Sequence, residues 1–415
     1  MILDSRINTN TAFPQANGKL LNLRDIEQGL EQINRLQSNQ ATMDILPGKT
    51  PGASLVQIKS QTVRPWLISL SRDNSGQATT GELMNGLLIG IDNPLGLNDY
   101  SYLNIQKGNV SRSTGKASNS VFWHWDMPLG YWSMGLDISY FDYLSTVQSN
   151  VQQFETSGTS LSQSLFLSRV LYRDQDSKLK WRTRLQRKQN KNYIEDALLD
   201  SSRVLGIGNI GIEYKKYLPD QSQWKFDLDY YRGLNLFGAP KDEEQAAGSA
   251  KAQFDKYSAR IDYQKTGDFK VTGNTPLTLK FHSILHAQYS SDRLFGSEQI
   301  SIGSLYTVRG YKGSSISASS GAYWRNSLSL QWRPRWGGSL LQSIQPFVAF
   351  DAGMIRDRGK LYSQDTFAHL MGWAAGAQLS GKHYSINIAY ARPHNPPDWL
   401  PVASEQWHFN LNINY

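Results

Sequence analysis

WHFNLNINY, at residues 407–415, ends the chain with a strict alternation of apolar and polar side chains. A period of two is the period of a β-strand, whose successive side chains point to opposite faces of the sheet. One face carries only large apolar and aromatic side chains, and the other carries a histidine and three asparagines. A final strand with one face for lipid and one for water, ending on the aromatic Tyr415, predicts a transmembrane β-barrel.

The same alternation runs back along the chain to about Pro65. Trp224, Phe226 and Leu228, for example, alternate with charged residues. Segments of this kind number about sixteen, and an even number is typical of outer-membrane barrels. They lie near 66–73, 82–92, 100–109, 119–127, 131–144, 159–172, 177–190, 202–217, 222–233, 253–266, 276–290, 320–333, 344–355, 368–380, 383–392 and 405–415. An even number also puts both ends of the barrel on the same side of the membrane.

The composition agrees with a barrel and argues against membrane-spanning helices. Only 39% of the 415 residues are hydrophobic, the mean hydropathy is −0.49, and no run of about 18 apolar residues exists. A barrel strand needs only about ten residues, of which every second one faces lipid. The 12 Trp and 21 Tyr suit aromatic girdles at the two membrane surfaces. A soluble β-sandwich is the alternative, and the number of segments and the aromatic excess disfavour it.

Lys180, Arg182 and Arg184 indicate which face of the barrel wall is wet. They alternate with Leu179 and Trp181 in one predicted strand. A basic side chain that faces the middle of a bilayer costs roughly 2–4 kcal/mol, so three together must face the interior. The net charge of +8 therefore predicts a partly basic lumen lining, in preference to a nucleic-acid partner.

Residues 1–62 follow a different pattern. Leu23, Ile26, Leu30 and Ile33 recur at helical spacing and form one apolar stripe. Two short strands are predicted after this helix, joined by a turn rich in proline and glycine. A helix and a hairpin make too small a core to stand alone, so we expect part of a domain that begins outside this sequence. The chain also opens without the signal peptide that an outer-membrane protein needs, so we expect a longer precursor.

Residues 291–319 lack the alternation and are too many for an ordinary loop. They include Val308-Arg309-Gly310-Tyr311, which places a guanidinium with several donors beside a flexible backbone. Spacing alone favours an exposed surface loop in which Arg309 is solvated.

The Val308-Arg309-Gly310-Tyr311 run resembles the Val-Arg-Gly-aromatic motif of the two-partner secretion transporters, the TpsB proteins. Further resemblances follow along the whole chain in the order of that family. They are Leu21–Leu30, similar to the family's second POTRA domain, Asp73–Gly76 and Asn93–Leu97, similar to its first strand–loop–strand unit, and Pro397–Leu400, similar to its last loop. Transporters of contact-dependent inhibition systems and of haemolysins share these motifs.

The resemblance implies an all-β transmembrane barrel of sixteen antiparallel strands over residues 63–415. Residues 1–62 would be the C-terminal part of an α/β POTRA domain. In the family, a further POTRA domain and often a plug helix come before it. The loop at about 291–319 would then fold back into the lumen.

The resemblance also implies a partner for Arg309 on the inner wall, in the run Phe350-Asp351-Ala352-Gly353. The alternation in that strand independently points Asp351 inward. We therefore predict an Arg309–Asp351 salt bridge that holds the loop in the lumen, with Gly353 beside it on the wall.

The function that the resemblance implies is secretion of one cognate large exoprotein through the barrel, unfolded and without ATP. The exoprotein would dock on the POTRA domain by strand addition beside the helix that carries Leu23, Ile26, Leu30 and Ile33. The expected location is the Gram-negative outer membrane, with lipid and lipopolysaccharide around a monomeric barrel and the POTRA domain in the periplasm. A passive porin and a general outer-membrane insertase are the alternatives. The identity of the cargo (adhesin, haemolysin or contact-dependent toxin) stays open.

The sequence offers no pattern for catalysis, a cofactor or a metal. It has no cysteine, no phosphate-binding Gly-x-x-x-x-Gly-Lys loop and only seven scattered histidines. His282 and His286 lie on one strand face, about 13 Å apart, which is too far for one metal ion. We expect no enzymatic activity, no catalytic residue, no metal and no cofactor.

Overall fold

A computed structural model describes residues 7–14, 18–110, 112–148, 153–242, 248–271, 275–357 and 366–415. In chain order, its helices and strands are α1 (Thr9–Ala12), α2 (Leu23–Asn34), β1 (Asn39–Pro47), β2 (Ser54–Thr62), β3 (Trp66–Asp73), β4 (Met84–Asp92), β5 (Tyr100–Gly108), β6 (Ala117–Leu129), β7 (Trp132–Gln148), β8 (Gln153–Arg173), β9 (Ser177–Ile194), β10 (Ala197–Leu198), β11 (Arg203–Tyr217), β12 (Ser222–Leu234), β13 (Asp255–Val271), β14 (Thr275–Tyr289), β15 (Ile300–Ile302), β16 (Ile316–Ala318), β17 (Ser320–Trp332), β18 (Ser343–Asp357), β19 (Thr366–Ser380), β20 (Tyr384–His394) and β21 (Gln406–Asn414). Two 3₁₀ turns lie at Arg112–Thr114 and Gly296–Glu298.

The sixteen long strands of the described ranges form one closed antiparallel barrel. Each strand pairs with the next along the chain, and β21 pairs with β3 to close the ring. The predicted fold is therefore confirmed. Strands β7, β8, β9 and β13 run several residues beyond the predicted segments. Most residues of these extensions are polar, and their few apolar side chains, such as Val147, Phe154 and Phe269, are too isolated to give the alternation by which a lipid-facing segment is recognised.

The two faces of the wall separate as the alternation predicts. On β18, Val348, Phe350 and Met354 are about half exposed and point outward, while Asp351 between them is completely buried. Outward apolar side chains of this kind occur on strands all around the barrel, where lipid would cover them. None of the helices in the described ranges is long and apolar enough to cross a bilayer.

The closing seam is short. Asn410–Asn414 of β21 pair with Ser69–Asp73 of β3 over five residues, whereas β3 pairs with β4 over eight. Asn74 extends the seam with its side chain, because Nδ2 donates to the Trp407 carbonyl at 2.8 Å and Oδ1 accepts from the Phe409 amide at 3.0 Å. These two hydrogen bonds take the place of one further backbone residue pair in the seam.

The N-terminal segment packs as a helix on a two-stranded hairpin. The Asn22 side chain caps α2 by accepting from the Arg24 amide at 3.0 Å, and β1 pairs with β2 along their full length. Ile33 of the helix meets Ala41 and Ile58 of the hairpin in a small apolar core. The predicted order of helix and hairpin is therefore the observed one.

Helix α2 lies against one rim of the barrel. The side chains of Gln28 and Gln32 are buried and both donate to the carbonyl of Gly130, in the turn between β6 and β7, at 3.2 Å. We call this rim, where short turns join the strands, the short-turn end. The opposite rim, the long-loop end, carries the connections at 235–254 and 395–405. The N-terminal segment is therefore fixed at the short-turn end.

Candidate functional site: the lumen loop and the docked helix

The lumen loop (residues 291–319) contains the small hairpin β15–β16, which packs on the inner face of the barrel wall. Three residue pairs join its two strands. Its apolar side chains form one buried cluster with inward side chains of β18 and β19. The cluster comprises Ile300, Ile302, Val308, Tyr311, Ile316, Ala318, Ile355, Ala368 and Leu370. Because Ile355 and Leu370 belong to the inner wall, the loop lies inside the barrel and does not project into solvent.

The structure brings Arg309 and Asp351 together in a bidentate ion pair. Arg309 Nε donates to Asp351 Oδ2 and Nη2 donates to Oδ1, both at 2.6 Å. Asp351 is 0% exposed and Arg309 only 6% exposed. The reading of Arg309 as a solvated surface residue, which spacing alone favours, is wrong, because the long-range fold of the loop decides its surroundings.

The remaining hydrogen-bonding groups of this pair also have partners. The Arg309 amide donates to Asp351 Oδ2 at 3.1 Å, and Nη2 donates to the Asn326 carbonyl at 3.1 Å. Both Nη atoms lie 3.3 Å from Ser327 Oγ. Removal of either partner would leave an uncompensated buried charge, which costs about 3–5 kcal/mol.

Three glycines make room for the loop to approach the wall. A Cβ on Gly353 would stand 2.9 Å from the side chain of Val308, and a Cβ on Gly372 only 1.9 Å from the Arg309 carbonyl. Gly310 has φ +94°, which favours glycine, and a Cβ there would meet the backbone of Arg392 at 2.4 Å. Gly353 and Gly310 are predicted site residues. The sequence did not predict Gly372 as a site residue, because its role depends on which strand lies next to β18.

Tyr311 ends the motif and is completely buried. Its hydroxyl donates to the Met371 carbonyl of β19 at 2.8 Å. Arg325 on β17 binds the other side of the loop, with Nη1 at 3.0 Å from the Tyr306 carbonyl and Nη2 at 3.2 Å from the Leu305 carbonyl. Backbone carbonyls carry no sequence signal, so this second arginine could not be assigned from the sequence.

Arg182, one of the three predicted lining residues, faces the interior in a dense set of ion pairs. Its Nη1 lies 2.6 Å from Asp227 Oδ1 and its Nη2 lies 2.7 Å from Asp229 Oδ2. Both carboxylates are on β12, two strands away across β11. The guanidinium is therefore held against the wall.

The other two lining residues are paired in the same way. Lys180 Nζ lies 3.5 Å from Glu213 Oε1, and Arg184 Nη1 lies 2.6 Å from Asp137 Oδ2. The three predicted basic side chains are thus held in ion pairs. Their acidic partners lie on β7, β11 and β12.

The four predicted docking residues on α2 have unequal access. Ile26 and Ile33 are buried at 5% and 0% exposure, so they cannot contact a partner in this conformation. Their prediction as docking residues is corrected, because both side chains are buried and Ile33 packs in the segment's own core. Leu30 is partly buried against that core, and Leu23 is 49% exposed.

Charged side chains hold α2 to the rim. Glu31 forms ion pairs with Arg173 and Lys178, at the ends of β8 and β9 that meet in one turn. Tyr131 in the neighbouring turn donates its hydroxyl to Asp25 at 2.7 Å, and burial together with this bond raises the pKa of Tyr131 to about 12. The docked position of the helix therefore depends on charge.

Among the residues that the structure describes, no group of three or more His, Cys, Asp or Glu side chains is placed to hold a metal ion.

The close approach of loop and wall at Gly372 can be tested by adding one methyl group. Gly372→Ala should displace Arg309 from β19, because overpacking of this kind costs about 1–3 kcal/mol. We expect faster tryptic cleavage within the lumen loop, after Arg309 or Lys312. Gly267→Ala on β13 is the matched control, because a Cβ there meets nothing within 4 Å. Equal cleavage rates in the two variants would contradict the proposed role of Gly372.

Attachment of α2 to the rim should weaken in acid. Burial acts to raise the pKa of Glu31, but Lys178 and Arg173 outweigh it and hold the pKa below its ordinary value of 4.5. A depressed pKa contributes stability that is present above the ordinary value and is lost as the pH falls through the folded value. Spin labels on α2 and the rim should report broader distances as the pH is lowered from about 7 to about 3. Glu31→Gln should remove most of this change, and an unaltered pH response would refute the role of Glu31.

Comparison with known proteins identifies the family. The profile of the haemolysin secretion/activation proteins ShlB/FhaC/HecB matches residues 52–379, and a POTRA-domain profile matches residues 3–47. The chain is 33% identical over 400 residues to the outer membrane transporter CdiB of Dickeya dadantii, covering 94% of this chain and 68% of that protein. It is 35% identical over 417 residues to CdiB-2 of Burkholderia pseudomallei, covering 98% and 68%.

A solved structure agrees with these relatives. CdiB from Escherichia coli superposes with a TM-score of 0.89 at 30% sequence identity, over 100% of this chain and 74% of that one. The chain spans about two thirds of the length of the curated relatives that it matches. The match covers most of the barrel, including the Arg309 motif and Asp351. The chain therefore belongs to the ShlB/FhaC/HecB family of haemolysin secretion/activation proteins, the outer-membrane transporters of two-partner secretion.

Proposed function

We propose that this barrel secretes one cognate large exoprotein as an unfolded chain, and that the lumen loop controls its passage. The observation that carries the proposal is the loop itself, which is fixed inside the barrel by the buried Arg309–Asp351 pair. A chain that threads the lumen must pass this loop, so the anchoring of the loop bears directly on transport. Folding of the exoprotein outside the cell makes the passage directional without ATP.

Residues 1–62 act in this proposal as a docking unit and residues 63–415 as the transport unit. The docking unit lies in the periplasm, because α2 contacts the short-turn end and short turns face the periplasm in outer-membrane barrels. The long-loop end then faces outward, beside lipopolysaccharide. One chain closes the barrel by itself, which supports a monomer as the working unit.

The docking surface begins at the start of α2. Leu20, Leu21 and Leu23 are 98%, 48% and 49% exposed, a run of accessible apolar side chains where α2 begins. An extended exoprotein segment that adds to the hairpin as a strand would place its side chains near these leucines.

A photo-reactive residue at Leu23 in the full-length transporter should cross-link the exoprotein during secretion. The matched control is Leu95, which is also exposed at the short-turn end but lies in the turn between β4 and β5. Stronger cross-linking at position 23 supports docking on α2. Equal or weaker cross-linking there would refute it.

Loss of the Arg309–Asp351 pair should stop secretion while the barrel still assembles. In Arg309→Ala or Asp351→Ala, the unpaired charge costs about 3–5 kcal/mol, so the loop leaves its site in most molecules. We expect secretion of the exoprotein to fall by about 100-fold. Barrel assembly is followed by the heat-dependent change in gel mobility.

Arg232→Ala is the matched control for this experiment. The Arg232 side chain is 59% exposed, on the outer part of β12, and its removal should leave secretion unchanged. Wild-type secretion by Arg309→Ala would contradict the proposed function. Ion conductance with no effect of the variants on any protein cargo would instead indicate a passive porin.

A further inference from the structure

The lumen loop has a further anchor, in its N-terminal part. Glu298, which is only 6% exposed, forms ion pairs with Lys188 of β9 at 2.6 Å and with Lys256 of β13 at 2.9 Å. Its backbone carbonyl also accepts from Gln288 Nε2 at 3.0 Å. A single carboxylate thus connects the loop to two wall strands that are separated by β11 and β12.

The two anchors differ in what surrounds them. The Arg309 half of the loop sits in the apolar cluster, where solvation of the pair would require the hairpin β15–β16 to leave its core. The Glu298 half borders a cavity of about 320 Å³. The cavity is lined by Tyr143, Ser160, Asn190, Asn192, Gly296 and Ser297, among others.

Most of the residues that line this cavity carry polar side chains, and the cavity is large enough to hold several water molecules. Gly296 and Ser297, which directly precede Glu298, line this cavity. A Glu298 carboxylate that moves toward the cavity can therefore exchange its lysine partners for water. No comparable replacement exists for the buried contacts of Tyr311 and Val308. The two halves of the loop are therefore held differently. Packing surrounds the Arg309 pair, whereas the two ion pairs of Glu298 act next to the apolar packing of Leu294 and Phe295.

We propose that Glu298 is a releasable latch, a positioning residue whose separation from Lys188 and Lys256 lets residues 296–299 move and opens a path along β7, β8 and β9. The hairpin β15–β16 stays anchored by Arg309 during this movement. This inference rests on the proposed function, because it specifies which part of the loop yields to the exported chain.

The latch is tested with Glu298→Gln, which keeps the size of the side chain and removes its charge. In planar bilayers, we expect the full-length transporter carrying this change to be open for about ten times longer than wild type, since each 1.4 kcal/mol of lost attraction is a factor of ten. Asp200→Asn, at an exposed carboxylate between β9 and β11, is the matched control. A merely structural role would lower the heat stability of the barrel without prolonging the open state.

Lys188→Met removes one of the two wall partners of Glu298. It is the second variant if Glu298→Gln fails to assemble. It should also prolong the open state. If both variants assemble and conduct like wild type, the latch is refuted.

A disulfide tests the opposite change, in which the latch is held closed. It can be introduced at chosen positions because the chain has no cysteine of its own. Ser297→Cys combined with Asn190→Cys, two residues that line the same cavity, should lock the latch shut. Secretion should stop under oxidation and return on reduction, while each single-cysteine variant secretes in both conditions. Undiminished secretion by the cross-linked protein would overturn the inference, even if Arg309→Ala still abolishes secretion. Failure of Arg309→Ala to affect secretion would instead overturn the proposed function itself.

Discussion

The structure depends on one constraint: the hydrocarbon of a bilayer offers no partner to a backbone amide or carbonyl. A sheet in that environment must close on itself, and here sixteen strands do so through the pairing of β21 with β3. Closure then assigns every side chain to lipid or to the lumen. The seam has only five residue pairs. Beyond the end of β3, the Asn74 side chain adds two hydrogen bonds to the backbone of β21.

A barrel of this width has a lumen that must be occupied or controlled, and the loop between β14 and β17 lies in it. Two different kinds of force hold the loop. Around Arg309 and Asp351 the pair is buried, bidentate and surrounded by apolar packing. Around Glu298, ion pairs to two wall strands act next to the packing of Leu294 and Phe295, and the preceding residues border a cavity. A segment held in this unequal way can move on one side while its other side keeps its place.

The docked helix connects to the same interior through a continuous line of charges. Arg35 near the end of α2 pairs with Asp126, whose other oxygen lies 2.9 Å from His124 Nε2. His124 Nδ1 lies 2.6 Å from Asp137, and Asp137 pairs with Arg184 on the lumen wall at 2.6 Å. A displacement of the helix would therefore remove one of the two charged partners of Asp126 and leave His124 as the other. One network of ion pairs thus joins the docking unit to the lumen wall.

The sequence by itself determined the sixteen strands, their faces and the position of Asp351 on the inner wall, because a period of two is a local property that the bilayer enforces. It also identified Arg309, through resemblance to a motif. Only the tertiary structure decided what these residues meet. The charge balance around Arg182, the space that Gly372 leaves for the loop and the partners of Glu298 all depend on strands distant in sequence. Periodicity gives the direction of a side chain, but its neighbours come from the closure of the barrel and the path of the loop.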